Sequence, residues 1–221
     1  MVTVLLFLGT MLGAYLLGGV DTGIIISRLV YHDDVRNHGS GGAGMTNMLR
    51  TFGKKAAAMT ALGDVCKGFV AVWLAGLAFA ALEPQTGCPV LWGKYLAAVL
   101  AIIGHWKPVY FHFRGGKGVL VAAGGILALR PILLPMLLVI FLVCFLPTRM
   151  VSLGSVTVAV SYPILTALYG ALALHLAPAD LAVSIGGAVI SCLLVLYMHR
   201  SNIQRIRDGK EYRFDGSHKK Q

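Results

Sequence analysis

Uncharged apolar runs, each close to the length of a bilayer span, recur along the whole of this 221-residue chain. A helix needs about 20 apolar residues to cross the hydrocarbon core. Val2 to Val20 alone supplies nineteen without a charge. Hydrophobic residues make up 57% of the chain and charged residues 13%, against roughly 45–50% and 25% in soluble domains. The pattern predicts an all-α, polytopic integral membrane protein, and it excludes a soluble two-domain chain of the same length.

The runs fall in order. No Lys or Arg precedes Val2–Val20, so the first span is expected to be retained with its N-terminus outside. Asp21 to Val30 stays apolar but contains Arg28. Glycines at 18 and 19 before an acid predict a broken helix end, with the acid facing a polar cavity or an interface. His32 to Lys55 is polar, and Ala56 to Leu82 is the second span, carrying Asp64 and Lys67. Three residues apart, those two share a helix face. They read either as a self-neutralising pair or as support for a site residue. Glu83 to Lys94 reads as a loop, and Tyr95 to Gly104 as a short helix entering the stretch GHWKPVYFHFRGGKG that ends at Gly118. Val119–Leu146, Met150–Leu174 and Leu181–Met198 are further runs, followed by a basic tail from His199 to Gln221.

The net charge of +10 is sorted rather than scattered. The Arg36–Lys55 loop holds four Lys/Arg, the Gly104–Gly118 stretch three and the tail seven, fourteen of the nineteen. The positive-inside rule puts all three segments in the cytoplasm. An even number of crossings must then separate each pair, so Val119–Leu146 has to turn at Arg130-Pro131. The count is about seven transmembrane helices, with the N-terminus outside and the C-terminus cytoplasmic. No nucleic-acid-binding pattern accompanies the charge. Four cysteines without a CxxC pair, and histidines without HExxH spacing, predict neither a disulfide framework nor a metal site.

Each polar segment carries anion chemistry. Ser-Gly-Gly-Ala-Gly at residues 40–44 leads into Thr46, Asn47 and Arg50. Such a run is either a flexible linker or a source of free amides at a helix start. Arg114-Gly-Gly-Lys117-Gly lacks the full phosphate-loop spacing, yet its glycines allow backbone N–H groups to close on an anion beside a fixed lysine charge. The tail adds His199, Asn202 and Arg205. Together they predict a cationic basin at the membrane surface above apolar helices, suited to a phosphorylated substrate and a lipid chain.

Taken in order, Ser40-Gly-Gly-Ala-Gly44-Met-Thr46-Asn47-Met-Leu-Arg50, then Gly104-His105 with Phe113-Arg114-Gly115-Gly116-Lys117-Gly118, then His199-x-x-Asn202-Ile-x-Arg205-Ile-x-x-Gly209-x-Glu211 resemble three motifs. They are those of the bacterial membrane glycerol-3-phosphate acyltransferases that use acyl phosphate. Asp64-x-x-Lys67-Gly68 is similar to that family too. The resemblance implies one transmembrane acyltransferase domain over residues 1–221, with cytoplasmic motif loops near 31–55, 104–118 and 199–213, in the bacterial inner (plasma) membrane. It implies transfer of a fatty acyl group from acyl phosphate to the 1-hydroxyl of glycerol 3-phosphate, giving lysophosphatidate and inorganic phosphate, the first acylation of phospholipid biosynthesis. Expected catalytic residues are Lys117, His199, Ser40 and Arg50. Expected substrate-binding residues are Asn47, Thr46, Gly44, His105, Arg114, Gly115, Gly116, Asn202 and Arg205. No metal or cofactor is implied. The partners are the two substrates and membrane lipid.

The general base stays open among His199, His105 and the substrate's own phosphate. Two positions depart from the family pattern: Gly42 stands where Asn is usual, and Gly19-Val20-Asp21 replaces a Ser-Ile-Pro step. The alternative class is a transporter or channel for an anionic solute, which intramembrane Asp64 and Lys67 allow, although no internal repeat accompanies them. A thioester-dependent HxxxxD acyltransferase would use His175 and Asp180, which the parity count puts on the opposite side of the membrane from the three basic segments.

Overall fold

The computed structural model describes residues 1–214, and every regular element in them is helical. The tail residues His218, Lys219 and Lys220 lie outside the described residues. α1 (Val2–Gly19) and α2 (Thr22–Val30) are almost continuous, broken at the expected point. Asp21 caps α2 there, its Oδ1 accepting from the Ile24 N–H at 3.3 Å, as a short acid does at a helix start.

Helix α3 (Met45–Thr86) differs from expectation at both ends. The polar segment to Lys55 is not all loop, because α3 begins at Met45 and merely breaks at Gly53, where φ is +86°. Only glycine takes that conformation without strain. The polar first turns therefore form a separate segment ahead of the apolar span. At its far end α3 runs past Leu82 to Thr86, so the expected Glu83–Lys94 loop shrinks to residues 87–89 before α4 (Val90–Trp106). Only Pro84 is taken into the last turns of α3, and Pro89 keeps its turn position as the N-cap of α4.

The chain then turns at Arg130-Pro131, as charge parity requires, between α5 (Val119–Leu129) and α6 (Leu133–Thr148). α7 (Val151–Leu168) ends in a π-helical turn, Tyr169–Ala173, and α8 (Pro178–Met198) follows. The tail segment 199–213 is not the expected loop throughout, since Arg200–Arg207 forms α9. α1 and α3 to α8 make seven apolar helices among the described residues.

Helix α4 is central, packing on α1, α3, α5 and α8, while α6 and α7 form a second layer continued by α8. At 11 residues, about 16 Å, α5 is too short to span alone. It is instead pressed against α3 through two reciprocal glycines. A Cβ on Gly68 would collide with the Val121 backbone, and one on Gly124 with the Val65 backbone. Small residues let membrane helices approach in this way, where no hydrophobic force between them is available. Leu12, Leu62, Val143 and Leu193 are exposed on the outside of the bundle, the arrangement expected where lipid is the solvent.

Candidate active site

A cavity of about 660 Å³ opens where the three polar segments meet. Its upper wall is Ser40, Gly44, Thr46, Arg50, Lys117, His199, Asn202 and Arg205. Below, it runs down between α5, α6, α7 and α8 past Ala122, Ile126, Leu137, Phe141, Val158 and Val195. One end is cationic and the other is apolar. That division follows from the sequence, since the basic residues cluster at helix ends and the runs between them hold almost no polar groups.

The cationic end is organised by a residue that motif reading did not place in the site. Glu211 Oε1 accepts from Asn202 Nδ2 and from Ser152 Oγ, each at 2.7 Å, while Oε2 accepts from Arg205 Nε at 2.8 Å. Burial works to raise the Glu211 carboxyl, but these three hydrogen bonds outweigh it and hold the group below the ordinary glutamate range. With its amide nitrogen tied to Glu211, Asn202 turns its Oδ1 toward Lys117, whose Nζ donates to it. Burial, reinforced by Arg205 and Arg50 and opposed by Glu211, brings the Lys117 ammonium down to about 8. Ser152 carried no signal at all, being a serine in an apolar run. Glu211 stood within the third motif.

His199 sits at the α8–α9 junction, 3% exposed. Its Nδ1 lies 2.8 Å from the Val195 carbonyl oxygen. A carbonyl only accepts, so Nδ1 carries the proton and Nε2 presents a lone pair. Burial and the Lys117 charge push its pKa down to about 4. The imidazole is therefore neutral near pH 7.

Arg50 reaches the mouth from the first turns of α3, with its guanidinium carbon 4.1 Å from the Tyr212 ring centre. Gly44 is the N-cap of α3 and offers no side chain to its first amides. Gly44, Met45 and Thr46 line the cavity, so a helix N-terminus with unsatisfied N–H groups faces it.

Several expected ligands do other work. Asn47 is 2% exposed, and its Oδ1 accepts from the Ser40 N–H while Nδ2 lies 2.9–3.0 Å from the carbonyl oxygens of Val35, His38 and Gly42. It holds the first loop closed and also lines the cavity. The N–H groups of Gly115 and Gly116 donate to the carbonyls of Trp106 and His105, and Gly116 also lines the cavity. Those amides close the turn rather than an anion. Arg114 is exposed and does not line the cavity. Its carbonyl instead accepts from Arg36 Nη1 at 3.0 Å, as does that of Phe111, which ties the first loop to the second.

His105 is 2% exposed and lies beneath Gly116, where an added Cβ would strike its ring. Lys67 Nζ is 2.9 Å from its Nδ1, 2.8 Å from Asp64 Oδ1, and donates to the Val20 carbonyl at 2.8 Å. Asp21 Oδ2 lies 3.6 Å from the same imidazole nitrogen. Asp64 and Lys67 thus form the expected pair and also buttress the turn that carries Lys117. His175 stands in the connection between the π-helical turn and α8, away from the cavity lining.

The fold and the cavity define a helical membrane protein with a site that is cationic at one end and apolar at the other. The comparisons narrow it. The family model described as glycerol-3-phosphate acyltransferase matches residues 8–209, and the chain belongs to that family. It is 39% identical over 201 residues to a glycerol-3-phosphate acyltransferase of Clostridioides difficile (strain 630), covering 90% of each chain. One from Bordetella pertussis (strain Tohama I) is equally identical, with 90% of this chain and 88% of that protein covered. Among solved structures, it is similar to PlsY (YgiH), an integral membrane glycerol 3-phosphate acyltransferase, in its glycerol 3-phosphate form. The TM-score is 0.79 and the identity 33%, with 94% of this chain and 95% of that one covered.

Proposed function

We propose that the chain transfers a fatty acyl group from acyl phosphate to the 1-hydroxyl of glycerol 3-phosphate, releasing lysophosphatidate and inorganic phosphate. The observation that carries this reading is the junction of the Lys117–Asn202–Glu211 array with an apolar cavity between α5 and α8. A lipid chain fits the apolar part, and two phosphates fit the cations above it. Arg50 and the N-terminus of α3 hold the phosphate of glycerol 3-phosphate, with Ser40 and Thr46 beside it. Lys117 and Arg205 hold that of the donor.

In the transfer, the hydroxyl oxygen bonds to the acyl carbon as the carbon–oxygen bond to phosphate breaks, through a tetrahedral oxyanion. The hydroxyl proton goes to His199 Nε2, and phosphate leaves with the bonding electrons. His199 presents its Nε2 lone pair because its Nδ1–H is fixed on Val195, and the negative charge of the bound phosphates offsets the burial and the Lys117 charge that lower its basicity in the free protein. Lys117 compensates the negative charge that develops, and donors fixed in place in a site shielded from water are often the largest catalytic contribution. No protein nucleophile is needed, since acyl phosphate is already an activated anhydride. In this reading residues 1–221 act as one domain, and the Lys/Arg bias of the three basic segments supports a site on the cytoplasmic face of the bacterial inner membrane.

The test is formation of lysophosphatidate by detergent-purified protein given glycerol 3-phosphate and acyl phosphate, in parallel with acyl-CoA and acyl-carrier-protein thioesters. Product from acyl phosphate alone, with equimolar phosphate release, both abolished in Lys117→Ala and Arg50→Ala, is expected. Equal product from thioesters, or product undiminished in those variants, would overturn the reading. Thiol labelling of single cysteines placed near Arg50 and in the tail should report the same side of the membrane.

A further inference from the structure

Arg50 has a partner that the transfer does not use. Its guanidinium carbon lies over the Tyr212 ring at 4.1 Å and 5.7 Å from the centre of the Phe214 ring. Both rings belong to the segment after α9, which is fastened at three points. The Lys210 N–H donates to the Arg205 carbonyl at 2.8 Å, Glu211 is held by Ser152, Asn202 and Arg205, and the Phe214 N–H donates to the Arg149 carbonyl at 2.8 Å. The segment therefore crosses the mouth of the cavity from α9 to the α6–α7 turn.

The arginines near the mouth are used differently. Arg36 spends its donors on Asp34 and on the carbonyls of Phe111 and Arg114, and Arg205 donates to Glu211. The Arg50 guanidinium donates no hydrogen bond to another group among the described residues and is held by aromatic carbon. A cation over a ring face is attracted by the ring's quadrupole, and this contact consumes none of the five guanidinium N–H donors. It leaves a long side chain fixed in position with its hydrogen-bonding capacity unspent, which lowers the ordering cost of binding.

We propose that Tyr212 is a positioning residue for the acceptor: its ring fixes the Arg50 guanidinium so that its N–H donors meet the phosphate of glycerol 3-phosphate. Residues 209–214 then form the roof over that phosphate. The inference rests on the reading of Arg50 as a phosphate ligand given above. Tyr212 is exposed, so replacing it leaves the core of the bundle untouched.

The test is calorimetric titration of glycerol 3-phosphate into detergent-purified full-length protein, with initial rates measured on the same samples. Tyr212→Leu keeps apolar bulk but has no ring face. It should raise both Kd and KM for glycerol 3-phosphate about two- to fivefold while kcat at saturating acceptor changes little. Tyr212→Phe should recover most of the loss. On an Arg50→Gln background, Tyr212→Leu should add nothing. An unchanged Kd in Tyr212→Leu overturns the inference, as does an equal loss with or without Arg50, which would mean only roof packing. If the wild type turns over while Tyr212→Leu matches it, this inference falls and acyl transfer stands. A wild type that neither binds nor turns over removes both.

Discussion

Ser152 and Glu211, 59 residues apart in the chain, share a 2.7 Å hydrogen bond that fastens the segment after α9 to the start of α7. The same carboxylate orients Asn202, and through it Lys117. The lysine is therefore aimed by a chain of contacts that begins outside its own loop.

Replacing Glu211 by Gln should disrupt that aim. An amide keeps one acceptor but turns donors toward Arg205, and hydrogen bonds to a charged group contribute about 1.5–3 kcal/mol each. Glu211→Gln should lower kcat/KM for acyl transfer roughly 10- to 100-fold, with the helical circular dichroism unchanged. Ser152→Ala, which removes one of three donors, should cost about tenfold or less.

Lys117 makes the reaction sensitive to alkaline pH. Its pKa lies at about 8 in the folded protein against about 10.4 in an unfolded chain. Below 8 both forms are charged and the folded state bears the cost of burying the ammonium. From 8 to about 10.4 the unfolded chain binds more protons, so that cost is relieved as pH rises. Activity runs the other way, because the loss of charge removes the oxyanion's partner. The kcat/KM profile, which reports the free enzyme, should fall above pH 8, and Lys117→Arg should move that limb upward even where its rate is lower.

For His199 the window is acidic. Its pKa of about 4 lies below the unfolded value of about 6.5. Between those limits the unfolded chain binds the extra proton, so stability is lost as pH falls from 6.5 through 4. The full loss is roughly 3 kcal/mol from this group. Imidazole NMR shifts should show no His199 titration between pH 5 and 8, and His199→Ala should reduce kcat about 10²- to 10⁴-fold if the ring takes the proton.

Two glycines should respond in opposite ways. A Cβ on Gly116 would strike the His105 imidazole, and overpacking of this kind costs about 1–3 kcal/mol. Gly116→Ala should therefore lower the melting temperature and displace Lys117, reducing kcat. A Cβ on Gly42 meets only Ser40 Oγ, at 3.7 Å, an ordinary contact. Gly42→Asn, which restores the family's usual residue, should leave the melting temperature nearly unchanged. It should lower KM for glycerol 3-phosphate about two- to tenfold, consistent with one added hydrogen bond.

Much of this site was legible one residue at a time. Lys117, Arg50, His199 and Asn202 were expected in it and line the cavity. Asn47 and Gly116, also expected to touch substrate, line the cavity too, but part of their hydrogen-bonding capacity goes to loop closure, as does that of Gly115. A motif reports which groups are present. It does not report which neighbours have already satisfied them. Tyr212 and Ser152 were missed for the converse reason, since an exposed tyrosine and a serine in an apolar run look ordinary until a partner stands opposite.

Sequence alone determined the membrane class, the seven apolar helices and the turn at Arg130-Pro131, because hydropathy and charge act locally and add along the chain. The tertiary structure decided how the cations are aimed. Lys117 and Asn202 stand 85 residues apart, and only the close packing of helices at their small residues sets which distant side chains meet.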